Sequence, residues 1–78
     1  MNYNTDKIDD MTLALLFLTT FNVDGSLFRA WKSFDWSTME RLHKKGYISD
    51  PRSKAKSVAL TDEGVHMSRE LFERYFTE

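Results

Sequence analysis

The stretch RLHKKGYISDPRSKAKSVALTDEG (residues 41–64) runs from one helix through a short hairpin into another. Lys44 and Lys45 fall in the last turn of a helix, where their charge suits the negative end of the helix dipole. Gly46 stands where a left-handed residue stops that helix. Tyr47, Ile48 and Ser49 then read as extended chain, and Asp50-Pro51 is a turn-forming pair. Beyond the loop that ends at Lys56, the residues Ser57, Val58, Ala59 and Leu60 alternate. They close a hairpin with Val58 and Leu60 pointing inward. Thr61 is placed to cap a last helix that opens on Asp62 and Glu63, acids at the positive helix end. Gly64 costs that helix some propensity and marks a close approach to a neighbouring backbone.

Upstream of this stretch, Asp35 reads as the N-cap of the helix that Gly46 ends, with Ser37 and Glu40 as a rival capping box. Trp36, Met39, Leu42 and His43 share its inner face, leaving Ser37, Thr38, Glu40, Arg41, Lys44 and Lys45 outside. Before it, Leu27, Ala30, Trp31 and Phe34 fall at the spacing of a short helix. Residues 22–26, with Asp24-Gly25, read as a turn. The strongest apolar run, MTLALLFLTTF (residues 11–21), follows Asp9 and Asp10, either of which can cap it. Ile8, Met11, Leu15 and Leu18 lie on one side and Ala14, Phe17 and Phe21 on another, the pattern of a central, enclosed helix. In the last helix Val65, Ser68, Leu71, Phe72, Tyr75 and Phe76 make the buried stripe.

The expected order is helix, helix, helix, hairpin, helix: mainly α with a small β-hairpin, an α+β chain of one domain spanning residues 1–78. That is the order of a winged helix-turn-helix. RLHKKGYI (residues 41–48) resembles the end of a recognition helix entering a wing strand. LTDEG (residues 60–64) resembles the junction between a second wing strand and the last helix. Together they are similar to bacterial winged-helix regulators, including the multiple-antibiotic-resistance type. The run RAWKSFDWSTMERLHKKGYISDPRSKAKSVALTDEG (residues 29–64) also resembles a small bacterial family catalogued as a domain of unknown function. That resemblance implies no particular activity.

The net charge of −1 conceals a separation. Residues 1–28 carry −3, residues 29–58 carry +5 and residues 59–78 carry −3. The positive block falls on the third expected helix and the wing, the elements that touch DNA in this architecture. Long cationic side chains on a convex element suit phosphate. The candidate nucleic-acid contacts are therefore Ser37, Thr38, Arg41, Lys44, Lys45, Arg52, Lys54 and Lys56. Double-stranded DNA is the expected partner. The alternative is a protein-interaction adaptor that turns the same face to an acidic protein partner. A third use is a homodimer surface made by Leu71, Phe72, Tyr75 and Phe76 on the last helix.

Other chemistry finds little support. With no cysteine the chain has no disulfide framework or thiolate metal site, which fits a reducing, cytoplasmic setting. The two histidines have no companion ligands nearby in sequence, so no metal is expected. His43 reads as a core histidine bonded to backbone. No nucleophile elbow, phosphate loop or carboxylate pair occurs, so neither an enzyme nor a cofactor is expected. The apolar run at 11–21 follows a net acidic segment and is too short for a membrane span of about 20 residues, so neither a signal peptide nor a membrane partner is expected. Trp31 and Trp36 could stack on bases, but their places on helical apolar faces point to core packing. Arg29 and Lys32 are read as partners for Asp35 or Glu40, or for phosphate.

Overall fold

The computed structural model describes residues 1–22 and 27–78. The chain is α+β, with helices α1 (Thr5–Leu18), α2 (Trp36–Lys44) and α3 (Asp62–Phe76). Between them lie strands β1 (Phe21–Asn22), β2 (Phe28–Trp31) and β3 (Ser57–Ala59), antiparallel in the order β1-β2-β3. The turn expected over residues 22–26 lies outside the described residues, apart from Asn22 in β1.

Helix α1 starts earlier than its apolar run. Asn4 is its cap, its side chain accepting from the Lys7 amide at 3.0 Å. Asp9 and Asp10, expected as caps, are helical, and Asp9 is fully buried. Asp35 caps α2 by accepting from the Thr38 amide at 3.1 Å, and Thr61 caps α3 by accepting from Gly64 at 2.9 Å. Gly46 ends α2's last turn with φ of +84°, a conformation costly for residues that carry a Cβ.

The expected second helix is instead β2. Leu27, Ala30, Trp31 and Phe34 fit a helical stripe, but on a strand they divide between two faces. Ala30 is buried, whereas Leu27 and Trp31 are exposed. Strand pairing settles the choice: Arg29 faces Phe21 on one side and Ala59 on the other, and Ala30 faces Val58. Both backbone edges of β2 thereby find partners, which an isolated helical turn would not need. The observed order is accordingly helix, two strands, helix, strand, helix. The wing is also less regular than expected, because β3 forms its ladder with β2. Tyr47, Ile48 and Ser49 contribute one bridge, Ile48 to Leu60, and a hydrogen bond from Ser49 to the Ala59 carbonyl at 2.8 Å.

The core lies where α1 meets α3, α2 and the inner sheet face. It comprises Leu13, Ala14, Leu16, Ala30, Met39, Leu42, Ile48, Val58, Leu60 and Leu71. His43 is half-buried, with its Nδ1 3.0 Å from the Ile48 carbonyl, the backbone bond its position suggested. Among the described residues no helix is long and apolar enough to cross a membrane.

Candidate nucleic-acid interface

The cations of the central block fall into two groups according to what α1 offers them. Arg41 on α2 and Lys45 at its C-cap, one turn apart, turn towards α1 and meet at Asp9. Arg41 Nε donates to the two Asp9 carboxylate oxygens at 2.8 and 3.0 Å, and Lys45 Nζ donates to one of them at 2.9 Å. Lys45 also reaches Asp6 at 3.2 Å. The Asp9 side chain is 1% exposed, against 29% for Arg41 and 34% for Lys45. A buried carboxylate needs such partners, because desolvation disfavours its charge. The hydrogen bond from Lys45 to Asp9 in turn holds the Lys45 pKa above its ordinary 10.5, outweighing the opposing effect of desolvation.

Thr38 belongs to the same cluster. It is buried, its hydroxyl donating to Asp35 at 3.1 Å while accepting from Arg41 at 3.1 Å. Three of the eight expected contacts, Thr38, Arg41 and Lys45, thus make hydrogen bonds within the chain. Of the residues read as outer-face, Thr38 is buried, whereas Arg41 and Lys45 keep part of their side chains in water while bonding acids of α1.

The second group faces outward. Ser37, Lys44, Arg52, Lys54 and Lys56 are exposed. Arg52 bonds Asp50, at 3.1 Å through Nε and 3.2 Å through Nη2, and lies 3.8 Å from Glu40 on α2. The hydrogen bonds from Arg52 hold the Asp50 carboxyl below its ordinary range and raise the guanidinium in turn. That ion pair sets loop 50–56 beside α2, one turn before Lys44. Among the described residues Lys44, Lys54 and Lys56 have no carboxylate within ion-pair distance.

Arg29 and Lys32 pair with neither Asp35 nor Glu40. Arg29 donates to the Ser57 hydroxyl at 2.7 Å and to its carbonyl at 2.9 Å. Lys32 donates to the Ser53 carbonyl at 2.7 Å, and its amide bonds the Lys56 carbonyl at 3.1 Å. Arg29 thus braces β2 against β3, and Lys32 ties the basic loop to the end of β2. The tryptophans are not core residues either: Trp31 is 55% exposed and Trp36 52%. Trp31 belongs to a strand whose outer face it occupies, and Trp36 is the first residue of α2, beside its cap.

On α3 the four expected dimer residues divide. Leu71 is buried in the chain's own core, and Phe72 is half-buried with its ring centroid 5.2 Å from that of Phe17. Tyr75 and Phe76 remain exposed. Beside them Phe17, Phe28, Leu60, Val65 and Phe72 line a mainly apolar groove of about 430 Å³. Among the described residues no cluster of three or more metal-ligating side chains occurs.

Comparison with known proteins adds kinship without an activity. The chain is 54% identical over 77 residues, 99% of each chain, to "Uncharacterized protein y4hR" of Sinorhizobium fredii (strain NBRC 101917 / NGR234). No solved structure matches. A family model described as a domain of unknown function, DUF6429, matches residues 4–78, which spans all the elements that build the interface, and the chain belongs to that family.

Proposed function

We propose that the domain binds nucleic acid, duplex DNA included, by gripping the phosphate backbone with loop 50–56 and the C-terminal end of α2. In this reading α2, the loop and β3 are the recognition-helix and wing half of a winged-helix domain. The β1-β2 hairpin takes the place of the helix that would precede α2. The observation that carries the reading is the sorting of the cations. Lys44, Lys54 and Lys56 are exposed and without ion-pair partners among the described residues. The 3.8 Å approach of Arg52 to Glu40 brings the loop to α2 one turn before Lys44.

Phosphate contacts release counterions, so affinity should fall with salt at a log–log slope of about 0.9 per contact. Three or four contacts predict a slope of about −3 to −4 on random-sequence duplex. Replacing both Lys54 and Lys56 with alanine should bring that slope down by about two and weaken binding alike on every sequence. A double variant with parental affinity and slope would remove the loop from the interface.

Self-association through α3 is a second reading, supported by the accessible surface. The chain exposes 5445 Å², where a folded monomer of 9.2 kDa is expected to expose about 4,900 Å². Phe76, with its ring centroid 5.5 Å from Phe72, extends the Phe17–Phe72 contact towards solvent beside the apolar groove. A second copy would cover this edge. Sedimentation equilibrium should then show a concentration-dependent dimer that Phe76→Glu abolishes. A parent chain that stays monomeric at millimolar concentration would discard this reading.

A further inference from the structure

The outer face of the sheet offers what a single strand requires and a duplex does not. Side chains alternate along β2, so Arg29 and Trp31 share the face opposite buried Ala30. Phe21, the ladder partner of Arg29, lies on that same face. Its ring centroid is 5.0 Å from that of Trp31, with the rings tilted by 30°. The arrangement backs Trp31 with a second aromatic while leaving the indole 55% exposed. An indole in this position loses little conformational freedom when a flat partner settles on it, because its neighbour already restrains it.

The two segments that meet at the indole carry charge of one sign in sequence. Trp31 faces Ser57 across the ladder, and the next residues along, Lys32 and Lys56, are joined through their backbones. Arg29 lies over Ser57, bonded to its hydroxyl and carbonyl. Lys32 anchors the loop that carries Lys54. Residues 27–34 and 51–58, which hold Arg29, Lys32, Arg52, Lys54 and Lys56, contain no Asp or Glu. An exposed aromatic ring among cations, with no acid in either segment, complements a polyanion that carries planar, apolar faces. Paired bases in a duplex present only their edges, whereas unpaired bases present their faces for stacking.

We infer that the Phe21–Trp31 pair is a base-stacking platform and that the domain prefers unpaired nucleic-acid strands to duplex. The inference rests on the phosphate-gripping reading above and names the substrate class of that interface. Stacking of one base on an aromatic side chain corresponds to a change in affinity of about 5-fold to 150-fold.

The experiment compares fluorescein-labelled dT20 with a random-sequence duplex of equal length, at one low salt concentration, by anisotropy. The parent should bind dT20 at least about fivefold more tightly than the duplex. Trp31→Ala should lose about tenfold on dT20 and leave duplex binding within twofold, while Trp31→Phe should keep most of the dT20 affinity. In a Trp36→Phe background, dT20 should quench the fluorescence of Trp31, the only tryptophan left. Far-UV circular dichroism checks that the variants are folded. Should Trp31→Ala fold less well, Trp31→Leu serves instead, since it keeps an apolar contact with Phe21 but offers no ring. Equal binding of dT20 by the parent and these variants, or tighter binding of duplex, overturns the platform and leaves the phosphate grip standing. If neither ligand binds, and the Lys54 and Lys56 changes alter nothing, both proposals fall together.

Discussion

Gly64→Ala should cost the chain about 2–4 kcal/mol of stability, although alanine is the better helix former by about 1 kcal/mol. The reason is the carbonyl of Tyr47. A Cβ at position 64 would stand 2.8 Å from the Tyr47 carbonyl carbon and 3.1 Å from its Cα, and closer still to the oxygen. These are backbone atoms, which cannot swing aside as a side chain does. They are also tied to the start of α3. The Tyr47 carbonyl accepts from the Thr61 amide at 3.0 Å, and the Thr61 hydroxyl donates to the Gly46 carbonyl at 2.6 Å. Any shift that relieves the clash therefore strains the α3 cap and disturbs Ile48, the next residue, which lies in the core. Overpacking costs about 1–3 kcal/mol and sometimes more, and a lost cap adds about 1 kcal/mol. Against a total stability of about 4–12 kcal/mol for a chain of this length, a loss of about 2–4 kcal/mol is most of the margin at its lower end. Urea denaturation followed by circular dichroism measures it, and a midpoint unchanged from the parent would refute the tight approach. Gly46 is the control. Its Cβ would meet nothing within 4 Å, so Gly46→Ala should cost only the strain of a positive φ, about 1 kcal/mol.

That junction was legible because its signals are local. A threonine before two acids, a glycine three residues after the threonine, and a glycine after two lysines each act within one helical turn. The structure places Thr61, Gly64 and Gly46 in the roles those spacings imply, and His43 in the backbone bond its position suggested. What failed was non-local. Over the segment from Leu27 to Phe34 the apolar spacing fits a helix, and nothing local overrules it. The choice fell to ladder partners far away in sequence, Val58 and Ala59. The misplacement of Trp31 followed from that one period: on a helix it joins the apolar stripe, and on a strand it points away from Ala30. The tie of Arg41 and Lys45 to Asp9 went unread for a related reason. The amphipathic pattern of α2 marks one face as apolar and leaves the other to solvent, yet a second helix can claim a polar face if it brings a buried acid. Asp9 is that acid, 32 and 36 residues from its partners. Standing just before an apolar run, it looked like a cap.

Removing Arg41 should therefore harm folding more than it harms nucleic-acid binding, the reverse of what a phosphate contact on a recognition helix would do. Arg41→Met keeps much of the side chain's volume and removes the guanidinium, leaving a carboxylate 1% exposed with Lys45 as its remaining ion partner among the described residues. Breaking a buried pair from one side costs about 3–5 kcal/mol, because the charge left behind is desolvated and poorly compensated. With Lys45 still in place the lower figure applies, about 3 kcal/mol. The reverse change is milder. Asp9→Asn leaves Arg41 and Lys45 with 29% and 34% of their side chains in water, so each can hydrate its own charge, and the cost should be about 1–2 kcal/mol. It should also strengthen duplex binding, since two cations lose their internal anion. Alkaline pH separates the two bases further. A lysine whose pKa is raised on folding contributes its full stabilisation below its ordinary 10.5 and loses it as pH climbs through the raised value. In the parent, Arg41 still neutralises Asp9 when Lys45 deprotonates; in Arg41→Met nothing of that kind remains. The deficit measured by urea denaturation should consequently widen above about pH 10.5. A loss below about 0.5 kcal/mol at pH 7, constant up to pH 11, is the behaviour of an exposed surface pair. That result would return Arg41 to the list of residues available for phosphate.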